Sequence, residues 1–90
     1  MIVKKIKYGR KFIKEFTKLP SEIKVLAIGK EDIFKKNPLH SSLRLHSLAG
    51  KMKGYWSISV TRNYRIILNR QKNGEIYFVS IGTHDVYKSL

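Results

Sequence analysis

The apolar positions change their period along the chain, and each change marks an element. Ile2, Lys4, Ile6 and Tyr8 alternate with Val3, Lys5 and Lys7, which predicts a short opening strand. From Tyr8 onward, Tyr8, Phe12, Phe16 and Leu19 recur at helical spacing with Ile13 beside them, and Arg10, Lys11, Lys14 and Lys18 lie opposite. Pro20 interrupts this helix and Ser21-Glu22 opens a second. Its apolar stripe runs through Ile23, Leu26, Ala27, Ile33 and Phe34, with Gly29 a weak point, until Asn37-Pro38 closes it. Residues 38–54 read as irregular, with Pro38, paired Ser41-Ser42, Gly50 and Gly54. The period then becomes strand-like. Strands are predicted over 55–60 and 64–69, joined by Thr61-Arg62-Asn63, and over 76–81 after the hairpin signal Gln71-Lys72-Asn73-Gly74. Gly82-Thr83-His84 leads into a tail over 85–90.

The order β-α-α-β-β-β predicts an α+β fold. Two N-terminal helices pack on one face of a small, largely antiparallel four-stranded sheet, and the other face is left to carry a site. Ninety residues make one domain, 1–90, since two cores would each be too small to fold alone.

Composition narrows the partners. Nineteen Lys and Arg against six Asp and Glu give a formal charge of +13. By thirds of the chain the excess is +7, +3 and +3, so the charge belongs to the folded surface and not to a detachable tail. An apolar share of 42% separates the chain from charged disordered sequences. The absence of cysteine excludes disulfide scaffolds, thiol catalysis and cysteine zinc sites. No apolar run approaches a membrane span, and Met1-Ile2-Val3-Lys4-Lys5-Ile6-Lys7 keeps inserting charge where a signal peptide would be apolar. These features predict a soluble, cytoplasmic domain with a polyanionic partner. On charge alone RNA, DNA, an acidic protein and an anionic membrane surface all qualify.

The residues that invite chemistry gather in the second half: His40, Arg44, His46, Lys51, Lys53, Arg62, Arg65, His84 and Tyr87. If the last two strands pair through Asn73-Gly74, Arg65 and His84 come within reach of one substrate. Metal-free cleavage of RNA needs a base for the ribose 2′-OH, a cation for the charge on phosphorus and an acid for the departing 5′ oxygen. Histidine suits either proton role and arginine suits the clamp. Plainer readings compete. Arg65 can pair with Glu75 across the hairpin, and Tyr55, Trp56 and Tyr64 suit sheet core better than base stacking. His40, His46 and His84 lack the ligand spacing of a zinc site, so no metal and no cofactor is expected.

Leu48-Ala49-Gly50-Lys51-Met52-Lys53-Gly54-Tyr55-Trp56, then Asn63-Tyr64-Arg65-Ile66-Ile67 and Gly82-Thr83-His84, resemble the RelE/ParE superfamily of bacterial toxins from toxin–antitoxin modules. The last motif is similar to the YafQ branch and Tyr55-Trp56-Ser57 to the YoeB branch. The element order matches over essentially the whole chain, and the specific motifs over residues 46–87. The resemblance implies a ribosome-dependent messenger RNA endoribonuclease acting by 2′-OH attack, neutralised by a cognate acidic antitoxin. Its partners would be messenger RNA in the ribosomal A site and ribosomal RNA, with no membrane and no small-molecule cofactor. It further implies His46 as a base, Arg65 as the phosphate contact, His84 as acid or phosphate contact and Tyr87 as a stacking or proton-transfer residue. Lys51, Lys53, Arg62 and Arg44 are candidate RNA or ribosome contacts on charge and position. The sequence also departs from its relatives. Ser57 and Ser59 stand where RelE carries lysines, and Asn63-Tyr64 replaces the Asp-Trp pair of the YafQ branch. The alternatives are a ParE-like inhibitor of DNA gyrase with the same fold and no nuclease activity, and a basic RNA-binding domain with no activity.

Overall fold

A computed structural model describes residues 1–88. The elements are β1 (Lys5–Tyr8), α1 (Arg10–Thr17), α2 (Ser21–Lys36), β2 (His46–Ser47), β3 (Tyr55–Ser59), β4 (Arg65–Arg70) and β5 (Glu75–Gly82). Short 3-10 turns lie at Ser41–Leu43, Gly50–Met52, Lys72–Gly74 and His84–Lys88. Of the predicted tail, Ser89 and Leu90 fall outside the described residues.

The sheet has five strands in the order β1-β5-β4-β3-β2, one more than the sequence predicts. The extra strand is β2, two residues of the supposedly irregular stretch, where His46 pairs with Ser57 and Ser47 with Trp56. Two residues are too few to show an alternation, so only the pairing reveals them. The other ladders are antiparallel except for β1, which lies parallel to β5 at the far edge.

The helices cover one face because alternate strand residues there are apolar. Ile58, Ile66, Leu68, Ile76, Phe78 and Ile81 point into a core shared with Phe12 of α1 and Ala27 and Phe34 of α2. Phe78 is the meeting point. Its ring lies 5.4 Å from Phe12, 6.1 Å from Phe34 and edge-on to Tyr8 at 5.9 Å. The helical spacing that starts at Tyr8 is split by the structure: Tyr8 ends β1, and α1 begins after Gly9. A Cβ on Gly9 would sit 2.8 Å from the Tyr77 hydroxyl, so a larger residue at the strand-to-helix junction would have to displace that ring. α2 runs unbroken through Gly29, and Leu26, expected in its apolar stripe, is 46% exposed. The Asn73-Gly74 turn takes the positive φ values its sequence demands, 62° and 77°.

Two polar ties fix the helices. The Tyr8 hydroxyl donates to Glu31 of α2, and burial together with that bond pushes its pKa up to about 12. Glu15 of α1 accepts from the Ser80 hydroxyl at 2.6 Å, the Ile81 amide at 3.2 Å and the Lys11 ammonium at 2.7 Å. It thereby caps the β5 edge beyond the end of β1. Burial pushes the Glu15 carboxyl up, but these donors outweigh it and hold the group below the usual carboxylate range. A lowered folded pKa stabilises the fold above the unfolded value of about 4.3, and that contribution is lost as pH falls through the folded value. Glu15→Gln should therefore cost about 1–2 kcal/mol at neutral pH. Thermal unfolding from pH 7 to pH 3 should show the variant and the parent converging in acid, whereas a constant difference would contradict the assignment.

Candidate active site

The candidate site lies on the sheet face away from the helices, and strand register puts it there. Antiparallel partners share a face, as do residues two apart on one strand. His46 opposes Ser57, Ser57 opposes Ile67, Ser59 opposes Arg65, and Arg65 opposes Gly82. His46, Ser57, Ser59 and Arg65 therefore all look outward. A register shift between Ile67 and Leu68 sets Ser80 opposite Ile67. This bulge lets Phe78 face the core while Ser80 and Gly82 join the outer face.

The 3-10 turn at His84–Lys88 folds over this face. Val86 is buried, and the Tyr87 hydroxyl lies 3.4 Å from Ser57 Oγ. The His84 and Tyr87 rings are 6.4 Å apart between centroids. Arg65 Nη2 lies 3.4 Å from His84 Nε2, a long contact in which the guanidinium can only donate. His84 Nε2 is thus the ring nitrogen turned toward the guanidinium. Arg65 Nε is buried with no hydrogen-bond partner. The plainer reading in which Arg65 pairs with Glu75 does not hold among the described residues, since Glu75 pairs with Lys7 at 2.9 Å.

His46 stands on the far side of the same surface, two strands from Arg65 and offset by two residues. Strand spacing and rise put the two backbones about 12 Å apart, so their side chains project from the same face with Ser57 and Ser59 on the strand between. His46 Nδ1 is 2.9 Å from the Arg44 carbonyl oxygen, which can only accept. The Nδ1 proton is thus fixed by the backbone, which leaves Nε2 as the ring nitrogen available on this exposed residue. Arg44 adopts φ 49°, and this left-handed turn aims its carbonyl at the imidazole. His40 stands apart: its Nδ1 accepts from the Ser42 amide at 3.1 Å and caps the turn at Ser41–Leu43.

The structure thus brings Arg65, His84 and Tyr87 together, with His46 across from them. Arg44 and Arg62 are exposed beside Arg65 around one polar groove. Lys51 and Lys53 sit on an exposed turn at the opposite end of β3. Gly54, at φ 97°, returns the chain from that turn into β3, which explains a glycine there without any ligand. Trp56 and Tyr64 pack against the core as expected of sheet aromatics. Sequence reasoning did not place Ser57 or Lys30 near the site. The alternation Ser57, Ser59 inside an apolar strand was the available signal for the first, and for Lys30 there was none. Among the described residues no three His, Cys, Asp or Glu side chains gather as a metal cluster, and no helix is long and apolar enough to cross a membrane.

Solved structures share this architecture. YafQ from E. coli superposes with a TM-score of 0.76 at 21% identity, over 91% of this chain and 94% of that one. The chain has the RelE/ParE toxin fold. A YoeB/ParE toxin from Agrobacterium tumefaciens gives a TM-score of 0.76 at 16% identity, over 90% and 99% of the two chains. YafQ in the E. coli DinJ–YafQ toxin–antitoxin complex gives 0.71 at 22%, over 88% and 90%. No protein-family model matches the chain, and no curated protein matches it. The RelE/ParE architecture expected from the motifs is therefore the one observed, with β2 as the added strand.

A guanidinium with a buried, unpartnered Nε costs folding free energy, about 1–3 kcal/mol for an ordinary unsatisfied group. Stability alone therefore gives no reason for a guanidinium at this position. Arg65→Met should leave thermal stability unchanged or raise it by up to about 1 kcal/mol, while weakening binding of a polyanion. A loss above about 2 kcal/mol on unfolding would mark Arg65 as a structural residue instead.

Proposed function

We propose that this chain is the toxin of a toxin–antitoxin pair and a metal-independent endoribonuclease acting on messenger RNA at the ribosome. The observation that carries this is the outer face itself, where Arg65 contacts His84 while its Nε lacks an acceptor, and His46 presents a free Nε2 opposite. Each part answers one demand of phosphodiester cleavage by the neighbouring 2′-OH. His46 Nε2 takes the 2′-OH proton as the 2′ oxygen attacks phosphorus. Arg65 donates to the phosphate through Nε and Nη2, stabilising the charge of the five-coordinate transition state. Drawing Arg65 onto phosphate releases His84 Nε2, which takes a proton from solvent and delivers it to the 5′ oxygen as the P–O bond breaks. The products are a 2′,3′-cyclic phosphate and a free 5′-hydroxyl. Tyr87 lies within reach of a base stacked beside His84, and Ser57 steadies its hydroxyl. Arg44, Arg62, Lys51 and Lys53 contact RNA or ribosome around this centre.

An acidic antitoxin completes the proposal, consistent with the DinJ–YafQ and YoeB–YefM complexes among the fold neighbours. A charge of +13 attracts such a partner at long range. Exposed Ile13 and Ile28, each 51% accessible, flank an apolar cleft of about 270 Å³ between α1 and α2 that suits a partner's apolar side chains. The gyrase-inhibitor reading uses the same fold but no base, clamp and acid.

Induced expression tests the reading. The parent chain should arrest growth and leave breaks at fixed positions within codons, mapped by primer extension. Arg65→Ala, His84→Ala and His46→Ala should each relieve arrest and reduce cleavage about 10²–10⁴-fold. Arrest with intact messenger RNA, or full toxicity of these variants, would overturn it and favour the gyrase reading.

A further inference from the structure

Beside Arg65 opens a groove of about 550 Å³, and its walls come from three separate parts of the chain. Lys30 reaches in from α2, Ser42 and Arg44 from the turn before β2, and Thr61, Arg62 and Arg65 from the end of β3 and start of β4. Four of its lining residues are cations, and among the described residues none is acidic or aromatic. Lys30 Nζ donates to the Ser42 carbonyl at 3.2 Å, which pins the ammonium across the groove and leaves it two further N–H donors. Thr61 Oγ accepts from the amides of Asn63 and Tyr64 at 3.2 and 3.1 Å, so its own proton remains to be donated. The groove is thus a set of donors with Arg65 at its inner end, where that residue's Nε is buried without an acceptor.

We infer that this groove binds the sugar-phosphate backbone of a single-stranded nucleic acid, at the nucleotide adjoining the one whose phosphate Arg65 grips. The inference rests on the nuclease reading for what happens at Arg65, and on the groove alone for what binds beside it. Donors without a stacking surface fit phosphate and ribose oxygens, which carry no sequence information. Aromatic rings, which give strand-binding proteins their base contacts, lie elsewhere here, on Tyr87 and Tyr55. The strand therefore runs from His84 and Tyr87 past Arg65 and leaves over the β3–β4 turn. Any base preference arises at the Tyr87 end, and the groove tolerates every sequence. Lys51 and Lys53 lie at the other end of β3 and do not line this track.

Anisotropy titration of the full chain with 2′-O-methyl oligonucleotides, which cannot be cut by 2′-OH attack, tests the groove apart from catalysis. For single strands each lost phosphate contact lowers the slope of log K against log salt by about 0.7. The double variant Lys30→Ala with Arg62→Ala should lower the slope by about 1.4, and weaken oligo-U and oligo-A by the same factor. Arg62→Gln alone, on an exposed turn that the core does not need, should lower it by about 0.7. Lys14→Ala with Lys72→Ala removes the same charge elsewhere and should leave the slope unchanged. An unchanged slope in the groove variants, a loss confined to one sequence, or groove variants that lose polyglutamate binding while keeping the oligonucleotide would overturn the inference. Unmodified messenger RNA on programmed ribosomes, run in parallel, reads the nuclease proposal separately. Groove binding with no cleavage there would defeat that proposal alone, and cleavage there with an unchanged slope in the groove variants would defeat this one alone.

Discussion

The register between β3, β4 and β5 is the constraint on which everything else depends. Strand side chains alternate with a period of two, so Ile66 and Leu68 reach the helices only if Arg65 and Ile67 face away. A slip of one residue would drive a guanidinium into the core and put isoleucines into water, which makes the register strongly specified. The same requirement carries Ser57 and Ser59 to the outer face through their pairing, and His46 through its own. Burial on one side of the sheet therefore positions the polar set on the other. The bulge at Val79 lets β5 satisfy both sides, keeping Phe78 at the centre of the aromatic core while Gly82 lies opposite Arg65.

Stability and the proposed function are set against each other at Arg65. The helices are anchored by satisfied polar ties, with Glu15 accepting from three donors and Tyr8 donating to Glu31. The outer face holds weaker contacts of 3.4 Å at Arg65–His84 and Ser57–Tyr87, and one buried N–H without an acceptor. In the proposed reaction a phosphate would complete that arrangement and draw Arg65 away from His84. Phosphate binding and proton transfer would then be linked through one guanidinium.

Much of this was legible in the sequence because the signals were local. The change from helical to alternating period located both helices and the three long strands, and Asn73-Gly74 located the hairpin that sets Arg65 near His84. The short strand at His46–Ser47 was not legible, since two residues carry no period and their pairing with Ser57 and Trp56 is a long-range fact. Leu26 was misplaced for a related reason: α2 is apolar on more than one side, and spacing alone does not say which side meets the sheet. Of the candidate residues, Arg65 and His84 could be brought together by hairpin logic. The link from Ser57 to Tyr87 and the arrival of Lys30 beside Arg44 and Arg62 depend on tertiary packing.

On the proposed function, the outer face cuts RNA by attack of the neighbouring 2′-OH with Arg65 on the phosphate. The chemistry of the new ends tests it most directly. Fragments made on programmed ribosomes should carry a 2′,3′-cyclic phosphate or its 3′-phosphate hydrolysis product upstream and a 5′-hydroxyl downstream. A single 2′-deoxy substitution at the cleaved nucleotide should abolish the break. Upstream fragments ending in a 3′-hydroxyl, or undiminished cleavage of the 2′-deoxy message, would contradict the account.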